Sequence, residues 1–200
     1  MLVGNRMTKN PVTAQPEDDL HEARRKMREG GFRRLPVILE GKLVGIVTDR
    51  DMVPYLESVE CKKVEEIMTR ELKTVGPDTT LEAAAQILLN HKIGGLPVVD
   101  AGRLVGIITT SDILEAFLDA MGVYVEGTAR VDIVVDNENL DLASASKMID
   151  QEGGQILGLG TYRERRGGSP VFYVRFRSTN PGYLAQLLKS KGYNVLGIHL

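Results

Sequence analysis

A shift of 61 residues lays Val3–Val53 on Val64–Leu114 without a gap, with 17 of 51 positions identical. The identities begin at Val3/Val64, Met7/Met68, Thr8/Thr69, Thr13/Thr74 and Pro16/Pro77. They continue through Leu20/Leu81, Ala23/Ala84 and the runs Leu35-Pro36-Val37 and Leu96-Pro97-Val98. The densest stretch matches Gly41, Leu43, Val44, Gly45, Ile46, Thr48 and Asp51 with Gly102, Leu104, Val105, Gly106, Ile107, Thr109 and Asp112. A chain with such a repeat folds as two copies of one unit, and every later assignment has to respect both.

Each copy carries the same local signals. A short extended piece (Val12-Thr13, or Lys73-Thr74-Val75) meets Pro16 or Pro77, and an amphipathic helix is expected over 19–29 and 80–91. Residues 35–39 and 42–47 then form a hairpin through Glu40-Gly41, with Ala101-Gly102 as the equivalent turn. A second helix opens at Thr48–Asp51 and at Thr109–Asp112, which gives a β-α-β-β-α unit. At about 55 residues a single copy buries too little surface to be stable alone. Two copies stacked about a pseudo-twofold axis would cover each other's apolar faces, with the polar segment 54–63, including Cys61, as the link.

The 61-residue pattern stops after Gly122. Residues 129–135 alternate, with Val131, Ile133 and Val135 on one face and Arg130, Asp132 and Val134 on the other. A helix over 141–152 stops at Gly153-Gly154. Strands at 156–162 and 169–177 form a hairpin around Arg166-Gly167-Gly168. A helix over 181–191, entered at Asn180-Pro181, leads to a final strand over 193–200. The order β-α-β-β-α-β is that of a ferredoxin-like split fold. Arg163, Arg165, Arg166, Arg175 and Arg177 gather near the hairpin, where a solvated outer sheet face with Asp132 across the ladder is favoured over an anion platform.

Several chemistries are excluded. The chain is 42% hydrophobic and 26% charged, typical of a globular protein. The 25 basic and 27 acidic residues leave a net charge of −2, far from the positive field that nucleic-acid binding needs. No stretch is long and apolar enough to span a bilayer, and Met1 precedes no signal-like apolar core. The single cysteine leans towards a reducing, cytoplasmic setting. His21, His91 and His199 lack metal-ligand spacing, and no GxSxG elbow, GxxxxGK[ST] loop or complete GxGxxG fingerprint occurs. No catalytic residue and no metal site are assigned; the chain reads as a non-enzyme.

The informative element is Gly45-Ile46-Val47-Thr48-Asp49-Arg50-Asp51, repeated as Gly106-Ile107-Ile108-Thr109-Thr110-Ser111-Asp112. Thr-x-x-Asp at a helix start is close to a capping box, in which the Thr hydroxyl meets a free N–H and the acid reaches back. Glu or Gln reaches back better than Asp, however, and the strand glycines suggest that something approaches closely. Free N–H groups at a helix start favour an anion, and a neighbouring carboxylate suits a vicinal diol. Capping and ligand binding can coexist on these residues.

On the Met-Thr openings, LPV strands, LVGI hairpins and the duplicated G-h-h-T-x-x-D element, residues 1–122 resemble a tandem pair of cystathionine-β-synthase-type (CBS) domains, a Bateman module, with repeats at 1–60 and 61–122. The resemblance implies a regulatory module that binds AMP, ADP, ATP or S-adenosylmethionine in clefts between the repeats, with no cofactor required. It implies that Asp51 and Asp112 hold ribose, that Thr48 and Thr109 touch ribose or phosphate, and that the pieces at Thr13 and Thr74 meet adenine. Residues before the LPV strand contact phosphate in several members. Here these are Arg33-Arg34 in one copy and Gly94-Gly95 in the other, with Arg50 facing Ser111 in the equivalent place. Two unequal clefts are expected, the arginine-bearing one favouring polyphosphate; a solvated basic stretch is the alternative for Arg33 and Arg34.

Residues 128–200 resemble an ACT domain. That family often has Pro-Gly at the turn after the first strand, where this chain has Asp136-Asn137-Glu138-Asn139-Leu140, so dimerisation is the role implied more strongly than amino-acid binding. A CBS pair followed by ACT is similar to the acetoin-utilisation protein B family. The implied whole is a non-catalytic, homodimeric sensor acting on a partner enzyme. An amino-acid-responsive ACT regulator and a structural module with degenerate clefts are the alternatives.

Overall fold

The two repeats fold alike because their local stop and start signals are alike. In the computed structural model, which describes residues 1–55, 62–134, 141–165 and 167–200, the first repeat runs through β1 (Thr8–Lys9), α1 (Leu20–Gly30), β2 (Arg34–Leu39), β3 (Lys42–Thr48) and α2 (Asp49–Met52). The second runs through α3 (Val64–Ile67), α4 (Leu81–His91), β4 (Gly95–Asp100), β5 (Arg103–Thr109) and α5 (Thr110–Ala120). Asp19 caps α1 by accepting from the His21 and Glu22 amides, and Thr80 caps α4 by accepting from the Ala83 amide. Both hairpins turn with positive φ at two residues, 50° and 78° at Glu40-Gly41, 45° and 78° at Ala101-Gly102. That is the primed turn that suits the twist of the flanking strands.

The repeats differ in one element, and one feature departs from the sequence expectations. The second helix of repeat 1 is only the four-residue α2, followed by a 3₁₀ turn over Val53–Tyr55, whereas its counterpart α5 has eleven residues. Pro54 stands where repeat 2 has Glu115, and a proline removes an amide and breaks helix propagation. The extended pieces before Pro16 and Pro77 are single bridges, Ala14 to Val37 and Val75 to Val98, rather than strands. The expected link over 54–63 falls mostly outside the described residues, Cys61 included.

The repeats also exchange their openings. β1 of repeat 1 pairs antiparallel with β5 of repeat 2, Thr8 opposite Ile107 and Lys9 opposite Gly106. Reciprocally, the amides of Ile46 and Thr69 bond to each other's carbonyls at 3.0 and 2.9 Å. Val64 and Met68 from the opening of repeat 2 are buried in the core of repeat 1 with Leu35, Val37, Val47 and Met52. The crossing explains the strand glycines. A Cβ at Gly45 would lie 2.5 Å from the Met68 sulfur, and one at Gly106 would overlap the Met7 sulfur and lie 2.9 Å from the Thr8 carbonyl oxygen. The close approach is thus made by the exchanged Met-Thr segments. Met1–Glu115 form one compact unit and Ala116–Leu200 a second.

The second unit contains β6 (Thr128–Val134), α6 (Leu142–Gln151), β7 (Gln155–Tyr162), β8 (Val171–Arg177), α7 (Pro181–Ser190) and β9 (Asn194–His199). Its antiparallel sheet has the order β7-β8-β6-β9, with β6 central as a split β-α-β arrangement requires. Val131, Ile133, Val174 and Phe176 form its core with Ala145, Ile149, Leu184 and Leu188 of the two helices. On the opposite face Asp132, 4% exposed, does not meet Arg175 or Arg177 as expected. It takes two bonds from Arg130 on its own strand, at 2.7 and 3.0 Å, and one from the Tyr162 hydroxyl at 3.1 Å. Arg130 in turn lies over the Tyr162 and Tyr173 rings. Arg175 instead donates to the Thr128 hydroxyl, 3.1 Å away. The segment 136–140 and Arg166 lie outside the described residues.

Candidate functional site

The exchange of openings creates two related clefts in the first unit. One, about 610 Å³, lies between the crossing segment of repeat 1 (Thr8, Asn10, Val12) and the β5–α5 junction of repeat 2 (Thr109, Ser111, Asp112). The other, about 650 Å³, lies between Thr69, Glu71 and Lys73 of repeat 2 and the β3–α2 junction of repeat 1 (Thr48, Arg50, Asp51). Each cleft is therefore built from both repeats. The sizes suit a nucleotide-class ligand.

The Thr-x-x-Asp elements are capping boxes and cleft walls at once. Asp51 Oδ2 accepts from the Thr48 amide at 2.8 Å and from its hydroxyl at 2.7 Å. Asp112 Oδ2 does the same with Thr109, both at 2.7 Å. Among the described residues no hydrogen bond reaches Oδ1 of either aspartate, and both side chains are only half-buried. One carboxylate oxygen holds the helix start, and the other, on a side chain that lines a cleft, has no hydrogen bond from the described residues. Because α2 is so short, a helix dipole supplements this only at α5.

Arg33 and Arg34 line both clefts, which corrects the expectation of one arginine-bearing cleft. The reason is the Gly94-Gly95 pair of repeat 2. Arg34 lies along it, its Cδ and Nε 3.0 and 3.3 Å from where a Gly95 Cβ would stand, and a Cβ on Gly94 would overlap its terminal nitrogen. Burial, reinforced by the charges of Arg33 and Arg50 and opposed by Asp49, lowers the pKa of Arg34. The clefts differ instead through Arg50, Lys73 and Lys92, which line the Asp51 cleft together with the acids Asp49 and Glu71. Ser111 stands in the Asp112 cleft where Arg50 stands in the other.

Thr13 and Thr74 line neither cleft; the residues before them, Val12 and Lys73, do. Thr8, Asn10, Thr69 and Glu71 are wall residues that sequence reasoning did not assign. The signal available for them was the repeated Met-Thr opening. Among the described residues no group of three or more His, Cys, Asp or Glu is placed to hold a metal, and no helix is long and apolar enough to cross a membrane.

The CBS domain family model matches residues 3–58 and again 64–119, more than half of the chain. The chain belongs to the CBS domain family. Its CBS pair is 47% identical over 103 residues to an inosine-5'-monophosphate dehydrogenase of Korarchaeum cryptofilum, a match covering 51% of this chain but 21% of that enzyme. It is 34% identical over 115 residues to the CBS domain-containing protein YhcV of Bacillus subtilis, covering 56% of this chain and 81% of YhcV. Among solved structures, the pair is similar to the CBS pair of protein MJ0100 in complex with 5'-methylthioadenosine and S-adenosyl-L-methionine (TM-score 0.55, 36% identity, 58% of this chain, 95% of that one). It is similar to CBSX2 in complex with AMP (0.54, 33%, 59% and 96%). It is also similar to a Vibrio cholerae chain described as an acetoin utilization protein, AcuB (0.56, 32%, 62% and 94%). None of these matches extends over the whole of this chain.

Proposed function

We propose that this chain is a non-catalytic regulatory protein whose CBS pair binds adenosine-containing ligands in the two clefts. The observation that carries the reading is the divided role of Asp51 and Asp112, each lining a cleft, with one oxygen fixed by a helix cap and the other without a hydrogen bond from the described residues. A carboxylate so placed accepts from both hydroxyls of a ribose, while Thr48 or Thr109 and the arginines face its phosphate. The complexes of MJ0100 with methylthioadenosine and S-adenosylmethionine and of CBSX2 with AMP support this ligand class. Arg50, Lys73 and Lys92 favour polyphosphate in the Asp51 cleft, and Ser111 favours a smaller charge in the other.

In this reading occupancy changes how the two repeats pack, because each cleft spans both, and the change is passed on through the residues from about 128 onward. The split β-α-β sheet order supports an ACT-like assignment for that region, with association of two copies as its role. In this reading the chain is a cytoplasmic regulator acting on a partner enzyme, and its CBS pair is similar to a chain described as an acetoin utilization protein, AcuB. Isothermal titration of the full chain with AMP, ATP and S-adenosylmethionine, with GMP as control, tests the ligand class. Saturable binding of at least one adenosine ligand is expected; binding of none of them refutes the proposal.

A further inference from the structure

We infer that Arg34 couples the two clefts, so that a phosphate-bearing ligand in one weakens the binding of a second in the other. The inference rests on the adenosine-nucleotide reading and adds a rule about occupancy. Arg34 lines both clefts and is held over Gly94 and Gly95. Repeat 2 has those two glycines where repeat 1 has Arg33 and Arg34, so neither arginine has a counterpart there; Arg33 lines both clefts as well, and it is Arg34 that lies along the glycines.

Two physical effects act in the same direction. A guanidinium presents its donors as a planar fork, which matches one phosphate in a bidentate manner and leaves the second phosphate an inferior geometry. The arginines at this centre also repel one another, as the lowered pKa of Arg34 reflects beside the burial that contributes most to it. A first anion relieves that repulsion and lowers the positive potential that a second would meet. The shared cation is not displaced towards either side by a neighbour in repeat 2, because a side chain at Gly94 would occupy its position. The two clefts thus compete for the Arg34 guanidinium.

The test is calorimetric titration of the full chain with AMP. Wild type is compared with Asp51→Asn and Asp112→Asn, each of which leaves one competent cleft and keeps an acceptor for its helix cap. With coupling, the second wild-type step is about ten-fold weaker than binding to the same cleft in the single-cleft variant, equivalent to about 1.4 kcal/mol. Arg34→Gln, studied in the same three backgrounds, removes that difference. Superposition of the two single-cleft isotherms onto the wild-type curve overturns the coupling. A difference that persists undiminished in Arg34→Gln overturns the assignment to Arg34. If either aspartate variant fails to fold, methyl NMR of wild type replaces it, since Met7 and Met68 stand beside Thr8 and Thr69 of the respective clefts. Non-hyperbolic site curves are then expected, and two simple hyperbolas refute the inference. ATP takes the place of AMP if AMP does not bind, and absence of binding by AMP, ATP and S-adenosylmethionine alike refutes the ligand reading itself, and the coupling with it.

Discussion

Asp112 offers the sharpest separation of a structural role from a binding role, because its two oxygens have different tasks. Oδ2 accepts from both the amide and the hydroxyl of Thr109, at 2.7 Å each. Asp112→Ala removes the acceptor from two half-buried donors at the start of the eleven-residue α5. Loss of such a cap costs about 1 kcal/mol, and loss of a negative charge in the first helical turn about 0.3–1 kcal/mol more. For a unit the size of Met1–Glu115 a change of this order lowers the melting temperature by roughly 5–15 °C. Asp112→Asn retains an oxygen for Thr109 and loses only the charge, so a fall of no more than about 8 °C, and smaller than that of Asp112→Ala, is expected. Its amide nitrogen, a donor, then replaces Oδ1, the oxygen proposed to accept from the ligand. Two ribose hydroxyls lose a charged acceptor worth about 1.5–3 kcal/mol, and affinity in that cleft falls about 10- to 100-fold.

Calorimetry reads both quantities: scanning for the transition of the first unit, titration for ligand stoichiometry. Asp112→Asn is expected to melt close to wild type and to bind one AMP where wild type binds two. Equal destabilisation by Asn and Ala would refute the division of labour between the oxygens. Unchanged AMP stoichiometry and affinity in Asp112→Asn would refute the ribose role.

Other perturbations test the remaining framework. Gly106→Val forces a side chain against Met7 and the Thr8 carbonyl, so a loss of about 1–3 kcal/mol is expected from the urea midpoint, together with weaker binding in the Asp112 cleft that Thr8 lines. Asp132→Ala leaves the Arg130 guanidinium half-buried without its carboxylate, and the second unit should lose about 3 kcal/mol by the same measurement. Burial raises the pKa of Asp18, but its bonds to Lys26, 2.9 Å away, and to the Gln15 amide outweigh this and hold it below 3.8. A depressed folded-state pKa stabilises above the unfolded value and ceases to do so as pH falls through the folded one. The stability gap between wild type and Asp18→Asn should therefore close on acidification from about pH 5 to pH 3, and a gap that widens would contradict the sign.

What the sequence makes legible here is what is local or duplicated. The caps Asp19 and Thr80, the Glu40-Gly41 and Ala101-Gly102 turns and the β-α-β-β-α-β order all follow from residues within a few positions of one another. The repeat doubles every such signal. The partner of an opening segment is not local, and identity between copies is the very thing that conceals it. Met7-Thr8 is as well suited by sequence to Gly45-Ile46 as to Gly106-Ile107, and only the closed structure selects the exchanged pairing. The same limit applies to Arg34, since a contrast between Arg33-Arg34 and Gly94-Gly95 reads as one charged and one uncharged cleft until the side chain is seen lying across the glycines. Pro54, opposite Glu115 in the alignment, is the local signal that α2 is shorter than α5.

The exchanged openings also bear on why a ligand in this protein can act as a signal. If each repeat folded on its own opening segment, a cleft would belong to one repeat, and its ligand would stabilise that repeat alone. Here Thr8 and Asp112 face one cleft and Thr69 and Asp51 the other, so any ligand that touches both walls has an affinity that depends on the register between repeats. A ligand shifts a conformational equilibrium only by its difference in affinity for the two states. The crossing of Met7-Thr8 onto β5 and of Met68-Thr69 onto β3 makes inter-repeat packing the coordinate along which that difference arises, and Arg34, which lines both clefts beside Arg33, is the group through which two bound ligands would sense each other.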